Sequence, residues 1–146
     1  MARELITFEV ENQLFGIDIM AIREIRAWSP VTRLPRVPHY VAGVVNLRGT
    51  VLPVIDLAAR LGWPTTEATT RHAIIVTQTA GQTRGLIVDS VSDIVTLADD
   101  ALQPPPVAAG DAVVGYLEGL APCEDRMIMV LDLRALTADE ADLQAA

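Results

Sequence analysis

The sequence predicts an all-β protein built from two small barrels, and three observations support this fold class. The chain has 146 residues, of which 51% are apolar, enough to bury a substantial core. Short segments in which apolar and polar side chains alternate, a pattern typical of half-buried strands, recur between turns that contain Gly, Pro or Asn. The third observation is an internal repeat of about 70 residues.

The alternating segments place the strands along the chain. We expect strands at residues 6–10, 14–19, 50–57, 74–76, 85–89 and 126–133. Asn12 begins the turn of the first hairpin, and Gly81 lies in the turn that follows the strand at 74–76. Pro53 has no N–H to donate, so its place inside an apolar strand predicts a sheet edge or a bulge at that position.

Helical signals are scarce. Residues 57–61 allow one or two helical turns before Gly62 ends them. Near the C-terminus, Thr137 and Glu140 fit a capping box, which predicts a short acidic C-terminal helix.

The internal repeat predicts the domain organisation. It relates three pairs of segments, 16–25 with 85–94, 41–44 with 113–116, and 54–57 with 130–133. We therefore expect residues 1–70 to form the first barrel and residues 71–146 to form the second, with the short C-terminal helix. Each barrel alone is near the lower size limit for stability, so the two should share an apolar interface with a groove beside it.

The charge balance argues against nucleic-acid binding. All eleven basic residues are Arg, and nineteen acidic residues give a net charge of −8. Residues 1–70 are neutral overall while residues 71–146 carry the whole −8, so the halves should meet different surfaces, unless the acidic half serves only solubility. The chain has no apolar run of the ~20 residues that cross a bilayer and no signal peptide, which predicts a cytoplasmic protein.

Residues for catalysis or metal binding are not found at useful spacing. His39, His72 and Cys123 are far apart in sequence, and a single Cys cannot form an internal disulfide. The sequence has neither a phosphate-binding glycine loop nor a nucleophile elbow, and its carboxylate pairs lie in polar turns. We therefore expect no enzymatic activity, no metal and no cofactor.

One segment is unusual for a plain core strand. Asn46 and Arg48 stand inside a run of aliphatic residues and share one face if that run is extended. An Arg in such surroundings must reach solvent or pair with a carboxylate, and Glu24 is the candidate partner. The alternative is that Arg48 is an ordinary turn residue before Gly49.

These residues resemble the CheW-like coupling proteins of bacterial chemotaxis over nearly the whole chain. The core of the likeness is Asn46-Leu47-Arg48-Gly49 with its aliphatic neighbours. The other matching segments are 15–19, 22–25, 31–33, 53–57, 85–93 and 104–106. The resemblance implies two SH3-like five-stranded barrels and a non-catalytic adaptor of a two-component signal transduction system.

The resemblance also implies partners. Such an adaptor binds the cytoplasmic tip of methyl-accepting transmembrane chemoreceptors and the regulatory domain of a CheA-type histidine kinase, without direct membrane contact. It is cytoplasmic, is recruited to membrane-associated receptor arrays, and can associate with itself in rings. It binds no nucleic acid.

The residues for each contact are carried over by position. The receptor-binding residues implied are Ile22, Glu24, Gly43, Asn46, Arg48, Gly49 and Val91. Ile22 and Val91 would supply apolar contact with helices, and Gly43 would allow close approach of backbone. The strand around Ile74 is the implied kinase-binding element.

Two other functions remain open from the sequence. The same fold could serve another receptor–kinase system, such as one that controls twitching motility. The second alternative is a small-barrel protein that binds nucleic acid or a ligand, although few aromatic residues are available for stacking and Lys is absent.

Overall fold

The computed structural model describes residues 3–79, 81–98, 100–105 and 112–136. The strands are β1 Arg3–Val10, β2 Gln13–Asp18, β3 Ile22–Ala27, β4 Val41–Leu47, β5 Thr50–Asp56, β6 Ala73–Thr79, β7 Gln82–Val88, β8 Ser90–Leu97, β9 Leu117–Cys123 and β10 Arg126–Leu131. The α-helices are α1 Leu57–Arg60 and α2 Leu133–Leu136, and the 3-10 helices are Ile19–Ala21 and Ala112–Tyr116. The predicted helix at Thr137 and Glu140 lies outside the described residues.

The ten strands form two five-stranded sheets, which confirms the predicted all-β fold class. The first, here called the terminal barrel, has the order β8-β1-β2-β10-β9, and the second, the central barrel, has the order β3-β6-β7-β5-β4. Both contain one parallel contact, β2 with β10 in the terminal barrel and β5 with β7 in the central barrel. The two barrels have the same strand order, because each strand of one barrel corresponds to the strand five positions earlier or later in the other, such as β1 to β6 and β8 to β3.

The barrels do not follow the boundary expected at residues 70 and 71. Each copy of the repeat gives its first two strands to one barrel and its last three strands to the other. The terminal barrel therefore combines β1 and β2 with β8, β9 and β10, while β3 to β7 make the central barrel. The repeat itself is present, but 1–70 and 71–146 are not separate barrels, because the hairpins are exchanged between them.

The strand register also corrects one segment of the repeat. Gly43 lies opposite Val54, and Gly119 lies opposite Val130, so these two pairs are related by an offset of 76 residues. The segment 41–44 thus corresponds to 117–120 and not to 113–116. The other two matched pairs agree with the strand order.

The predicted apolar interface joins the barrels. One buried cluster contains Phe8 and Phe15 from the terminal barrel, Leu57 from α1, and Ile75 and Val88 from the central barrel. Phe8 and Phe15 stack with their ring centroids 6.0 Å apart. Because this cluster takes side chains from both barrels, neither barrel has a complete core without the other.

Local signals in the sequence explain the turns and the proline. Glu11 and Asn12 have φ angles of 53° and 63°, as expected for a two-residue hairpin turn. Pro53 pairs with Val44 of β4, and the parallel ladder of β5 with β7 begins only at Val54. Pro53 therefore occupies the part of an interior strand whose second side has no ladder to interrupt.

The barrels carry opposite charge. The central barrel segment, residues 22–88, contains eight Arg and three acidic residues, a net charge of +5. The two segments of the terminal barrel, residues 3–18 and 90–131, contain two Arg and eleven acidic residues, a net charge of −9. Because the hairpins are exchanged, the difference in net charge between the two barrels is larger than the difference between residues 1–70 and residues 71–146. In the described ranges no helix is long and apolar enough to span a membrane.

Candidate protein-interaction site

The turn between β4 and β5 is built from two residues. Arg48 and Gly49 have φ angles of 50° and 84°, and they connect the paired residues Leu47 and Thr50. The side-chain oxygen Oδ1 of Asn46 accepts the N–H of Gly49 at 2.8 Å, which closes the turn. Arg48 is therefore a turn residue, as the alternative from the sequence stated, and Asn46 holds the turn in shape.

The predicted pair of Glu24 and Arg48 is present. Both terminal nitrogens of Arg48, Nη1 and Nη2, lie 3.4 Å from Oε2 of Glu24. The Arg48 side chain is 75% exposed, whereas that of Glu24 is 28% exposed. Exposed ion pairs contribute roughly 0–1 kcal/mol to stability, so Arg48 can turn to another partner at little cost.

Gly43 is buried, and it packs directly against the backbone of Thr32 in the same chain. A Cβ at this position would lie 2.2 Å from the carbonyl oxygen of Thr32, and φ is +151°. Thr32 and Val44 exchange two backbone hydrogen bonds of 2.8 Å. The close approach expected at Gly43 is therefore made by the segment around Thr32, which covers the glycine.

Ile22 and Val91 lie at the junction of the barrels. They correspond to each other in the repeat: Ile22 is the first residue of β3 in the central barrel, and Val91 is the second residue of β8 in the terminal barrel. Both are half-buried and pack against the shared apolar cluster. Glu24 follows Ile22 on β3, so this strand connects the junction to the Arg48 turn.

A groove of ≈ 550 Å³ lies at the same junction. It is lined by residues of both barrels, among them Met20, Gln78, Glu118 and Arg134. None of the seven receptor-binding residues implied by the sequence lines it. The structure places those residues on β3, on β4 and the Arg48 turn that follows it, and at the start of β8.

Ile74 does not fit the role of a kinase contact. Its side chain is 2% exposed and packs with Leu52, Val54, Val76 and Ile87 in the core of the central barrel. A side chain in this position cannot touch a partner at the surface. The expectation that Ile74 contacts the kinase is therefore wrong for its side chain, which instead forms part of the core.

The comparisons with known proteins agree on one family. A family model for the CheW-like domain matches residues 4–141. The chain belongs to the CheW-like family. The chemotaxis protein CheW of Rhizobium meliloti is 48% identical over 138 residues, which cover 94% of this chain and 89% of the relative. The probable chemotaxis protein CheW of Rhizobium etli is 46% identical over 144 residues, which cover 99% of this chain and 92% of the relative.

A solved structure supports the same assignment. The crystal structure of the scaffolding protein TtCheW from Thermoanaerobacter tengcongensis matches with a TM-score of 0.84 and 32% identity. The match covers 93% of this chain and 88% of that protein. The family, the barrel fold and the type of function predicted from the sequence, a CheW scaffold or adaptor of chemotaxis, are thereby confirmed.

Sequence reasoning missed the exposed apolar residues of this CheW-like chain. Val51 is 67% exposed and lies opposite Asn46, directly beside the Arg48 turn. Its equivalent in the repeat, Met127, is 43% exposed. A second equivalent pair, Ile25 and Ile94, is also exposed, at 42% and 56%. The repeat could have revealed these residues, because it places apolar side chains at equivalent positions on strand faces that are otherwise polar.

Arg3 ties the ends of the terminal barrel together. Its Nε lies 3.4 Å from Asp18, and its Nη2 donates to Glu118 at 3.1 Å. Partial burial works to lower the pKa of the Arg3 guanidinium, but the hydrogen bond to Glu118 and the charges of Glu118 and Asp18 outweigh it and raise that pKa. Among the described residues no group of three His, Cys, Asp or Glu side chains is arranged to hold a metal ion.

Proposed function

We propose that this chain is a non-catalytic adaptor that couples the cytoplasmic tip of chemoreceptors to the regulatory domain of a CheA-type histidine kinase. The name chemotaxis protein CheW for a relative at 48% identity and the description of TtCheW as a scaffolding protein support this proposal. Its location would be cytoplasmic, at membrane-associated receptor arrays, without direct membrane contact.

The proposed receptor contact rests on one observation: the guanidinium of Arg48 is positioned by an ion pair with Glu24 but remains exposed. Arg48 stands 75% exposed at the end of the β4–β5 hairpin, with Glu24 as its ion-pair partner and Val51 exposed beside it. A cation next to apolar surface suits an amphipathic helix, whose apolar side chains can pack on Val51 while an acidic side chain pairs with Arg48. Arg is also among the residues that most often dominate the energy of an interface.

The charge of the central barrel supports the same assignment. The Arg48 turn belongs to the segment of net charge +5, so the field around it attracts acidic surfaces. A partner that binds here should associate more slowly as salt concentration rises, because salt screens this attraction.

The proposed kinase contact moves from Ile74 to Ile25. Ile25 lies on β3, the strand next to β6, and is 42% exposed. A branched apolar side chain in solvent on an edge strand is available to a second protein, whereas Ile74 is not. The adaptor then acts by binding alone, since it can shift kinase activity only by binding the receptor and kinase states with different affinity.

Co-purification with a receptor cytoplasmic fragment and the kinase, with kinase autophosphorylation as the readout, tests the function. We expect the chain to make kinase activity depend on the receptor fragment, and Arg48→Asp to abolish that dependence. Arg71→Asp, at an exposed position before β6, is the matched control and should behave as the parent chain. A parent chain that leaves kinase activity unchanged contradicts the proposed function, and full activity of Arg48→Asp contradicts the proposed site.

A further inference from the structure

The repeat extends from the strands into the junction between the barrels. At the offset of 76 residues, Tyr40 corresponds to Tyr116, and Asp56 corresponds to Asp132. The N–H of Asp56 donates to the carbonyl oxygen of Tyr40 at 2.7 Å, and the N–H of Asp132 donates to that of Tyr116 at 2.8 Å. Each tyrosine is therefore tied to the start of a short helix at the same place in its copy.

One residue breaks this equivalence. The last residue of α1 is Arg60, and the last residue of α2 is Leu136. The guanidinium carbon Cζ of Arg60 lies 4.4 Å from the centroid of the Tyr40 ring and 4.8 Å from the centroid of the Tyr116 ring. The Nε of Arg60 also donates to the carbonyl oxygen of Leu136 at 2.7 Å. A single side chain thus contacts both equivalent tyrosines and the end of α2.

Most of the remaining junction is apolar. Phe15 of the terminal barrel packs in one cluster with Leu57 of α1 and Ile75 of the central barrel. Apolar attraction follows the buried area and has little directional preference, whereas hydrogen bonds and cation–π contacts require a defined geometry. Asp89, at the crossing from β7 to β8, adds two directional contacts: its carboxylate accepts the N–H of Glu11 at 2.9 Å, and its own N–H donates to the carbonyl oxygen of Glu9 at 2.9 Å. Arg60 supplies the directional contact between the helices.

We propose that Arg60 is a positioning residue that fixes the angle between the two barrels, and that the adaptor needs this angle to present its receptor-facing surface. Ile22 belongs to the central barrel and Val91 to the terminal barrel, and both pack against the apolar junction. A change in the angle changes the spacing of these two side chains without altering either. This second half rests on the proposed function, because it takes the receptor as the partner.

Two spin labels on different barrels test the first half of the proposal. Ala27 on β3 and Thr96 on β8 are exposed, and Cys at both positions in a Cys123→Ser chain places one label on each barrel. We expect a narrow distribution of label distances in this parent chain. Arg60→Leu, which introduces the residue of the second copy, should broaden the distribution. A distribution of parent width in Arg60→Leu overturns the proposal.

Tyr116 provides the matched control. Tyr116→Phe keeps the aromatic face under the guanidinium, so its distance distribution should equal that of the parent. Tyr116→Leu removes that face and should broaden the distribution as Arg60→Leu does. Because both changes act on one contact, the double variant should broaden no further than either single variant. Additive broadening in the double variant contradicts a shared contact.

Titration with a receptor cytoplasmic fragment tests the second half. If Arg60→Leu leaves the competent arrangement populated about one-tenth of the time, the apparent affinity falls about tenfold. A broadened distance distribution with parent affinity overturns this half. A parent chain that binds no receptor fragment contradicts the proposed function, and the label distances then decide the role of Arg60 by themselves.

Discussion

Gly43 and Gly119 occupy the same place in the two barrels, and in both cases a backbone carbonyl fills the space where a side chain would begin. A Cβ at Gly43 would lie 2.2 Å from the oxygen of Thr32, and a Cβ at Gly119 would lie 2.5 Å from the oxygen of Gln103. Thr32 and Gln103 each form an isolated bridge with the strand that carries the glycine. Both glycines therefore serve the packing of the chain on itself.

We expect Gly43→Ala to lower the free energy of unfolding by about 2 kcal/mol or more, since overpacking and a strained φ each cost roughly 1–3 kcal/mol. Urea denaturation followed by circular dichroism measures the loss. Gly115→Ala is the matched control, because its added Cβ would meet no atom within 4 Å beyond the adjoining chain, and it should stay within about 0.5 kcal/mol of the parent. An unchanged midpoint for Gly43→Ala would show that Thr32 does not cover this position.

The two aspartates that precede the short helices should differ in their contribution to stability. Asp56 is 5% exposed and accepts the N–H of Thr66 at 2.6 Å and its hydroxyl at 2.8 Å. Among the described residues, Asp132 accepts the backbone N–H groups of Arg134 and Ala135 in the helix that follows it, at 3.0 and 3.4 Å.

Asp56→Ala should therefore cost about 2–4 kcal/mol, because it removes a buried helix cap and leaves the partly buried donors of Thr66 without their acceptor. Asp132→Ala removes a cap alone and should cost about 1 kcal/mol. Urea denaturation of the two variants measures the difference in their free energies of unfolding, provided that both show the same dependence on urea concentration. Equal losses would contradict the role assigned to the Thr66 contacts.

Arg48 should matter for binding and little for folding. Its ion pair with Glu24 is exposed, so Arg48→Ala should change the free energy of unfolding by less than about 1 kcal/mol. Affinity for a receptor cytoplasmic fragment, measured by calorimetric titration, should fall at least about tenfold, as expected of an Arg near the centre of an interface. Arg71→Ala should keep parent affinity. A large loss of stability in Arg48→Ala would show that the ion pair with Glu24 mainly stabilises the fold.

The sequence placed six of the ten strands and revealed the repeat, but it missed β3, β4, β8 and β9 and did not show how the copies combine. Alternation at Ile6, Phe8 and Val10 identifies β1, although Leu5 and Thr7 on its other face are buried as well. The repeat identifies equivalent strands because equivalent positions need the same residue types, such as Gly16 and Gly85. An exchanged and an unexchanged hairpin satisfy the same pattern, however, since β2 can pair with β10 or with β5 through the same side chains. Only the contacts in space distinguish them.

The candidate site was predictable where a charge stood out from its surroundings. An Arg inside an aliphatic segment demands a partner, and Glu24 was the acid available on β3. Ile74 misled because β6 is an interior strand, and residues 74–77 are buried on both faces. A continuous apolar run of this kind reports burial and does not show which strand a partner reaches.

Ile74 and Ile25 offer a direct comparison of a core position and a surface position. Ile74→Ala should lower the free energy of unfolding by about 2–5 kcal/mol, because it empties space in the core of the central barrel. Ile25→Ala, at a side chain 42% exposed, should cost less than about 1 kcal/mol. Urea denaturation measures both losses.

The same two variants separate stability from kinase binding. At a temperature where both are folded, Ile74→Ala should bind the kinase regulatory domain with parent affinity, because its side chain never reaches the surface. Ile25→Ala should bind it more weakly, since the variant removes apolar area from the proposed contact. Pull-down titration against the isolated regulatory domain gives both affinities. Weakened binding by Ile74→Ala together with parent affinity of Ile25→Ala would return the kinase contact to β6.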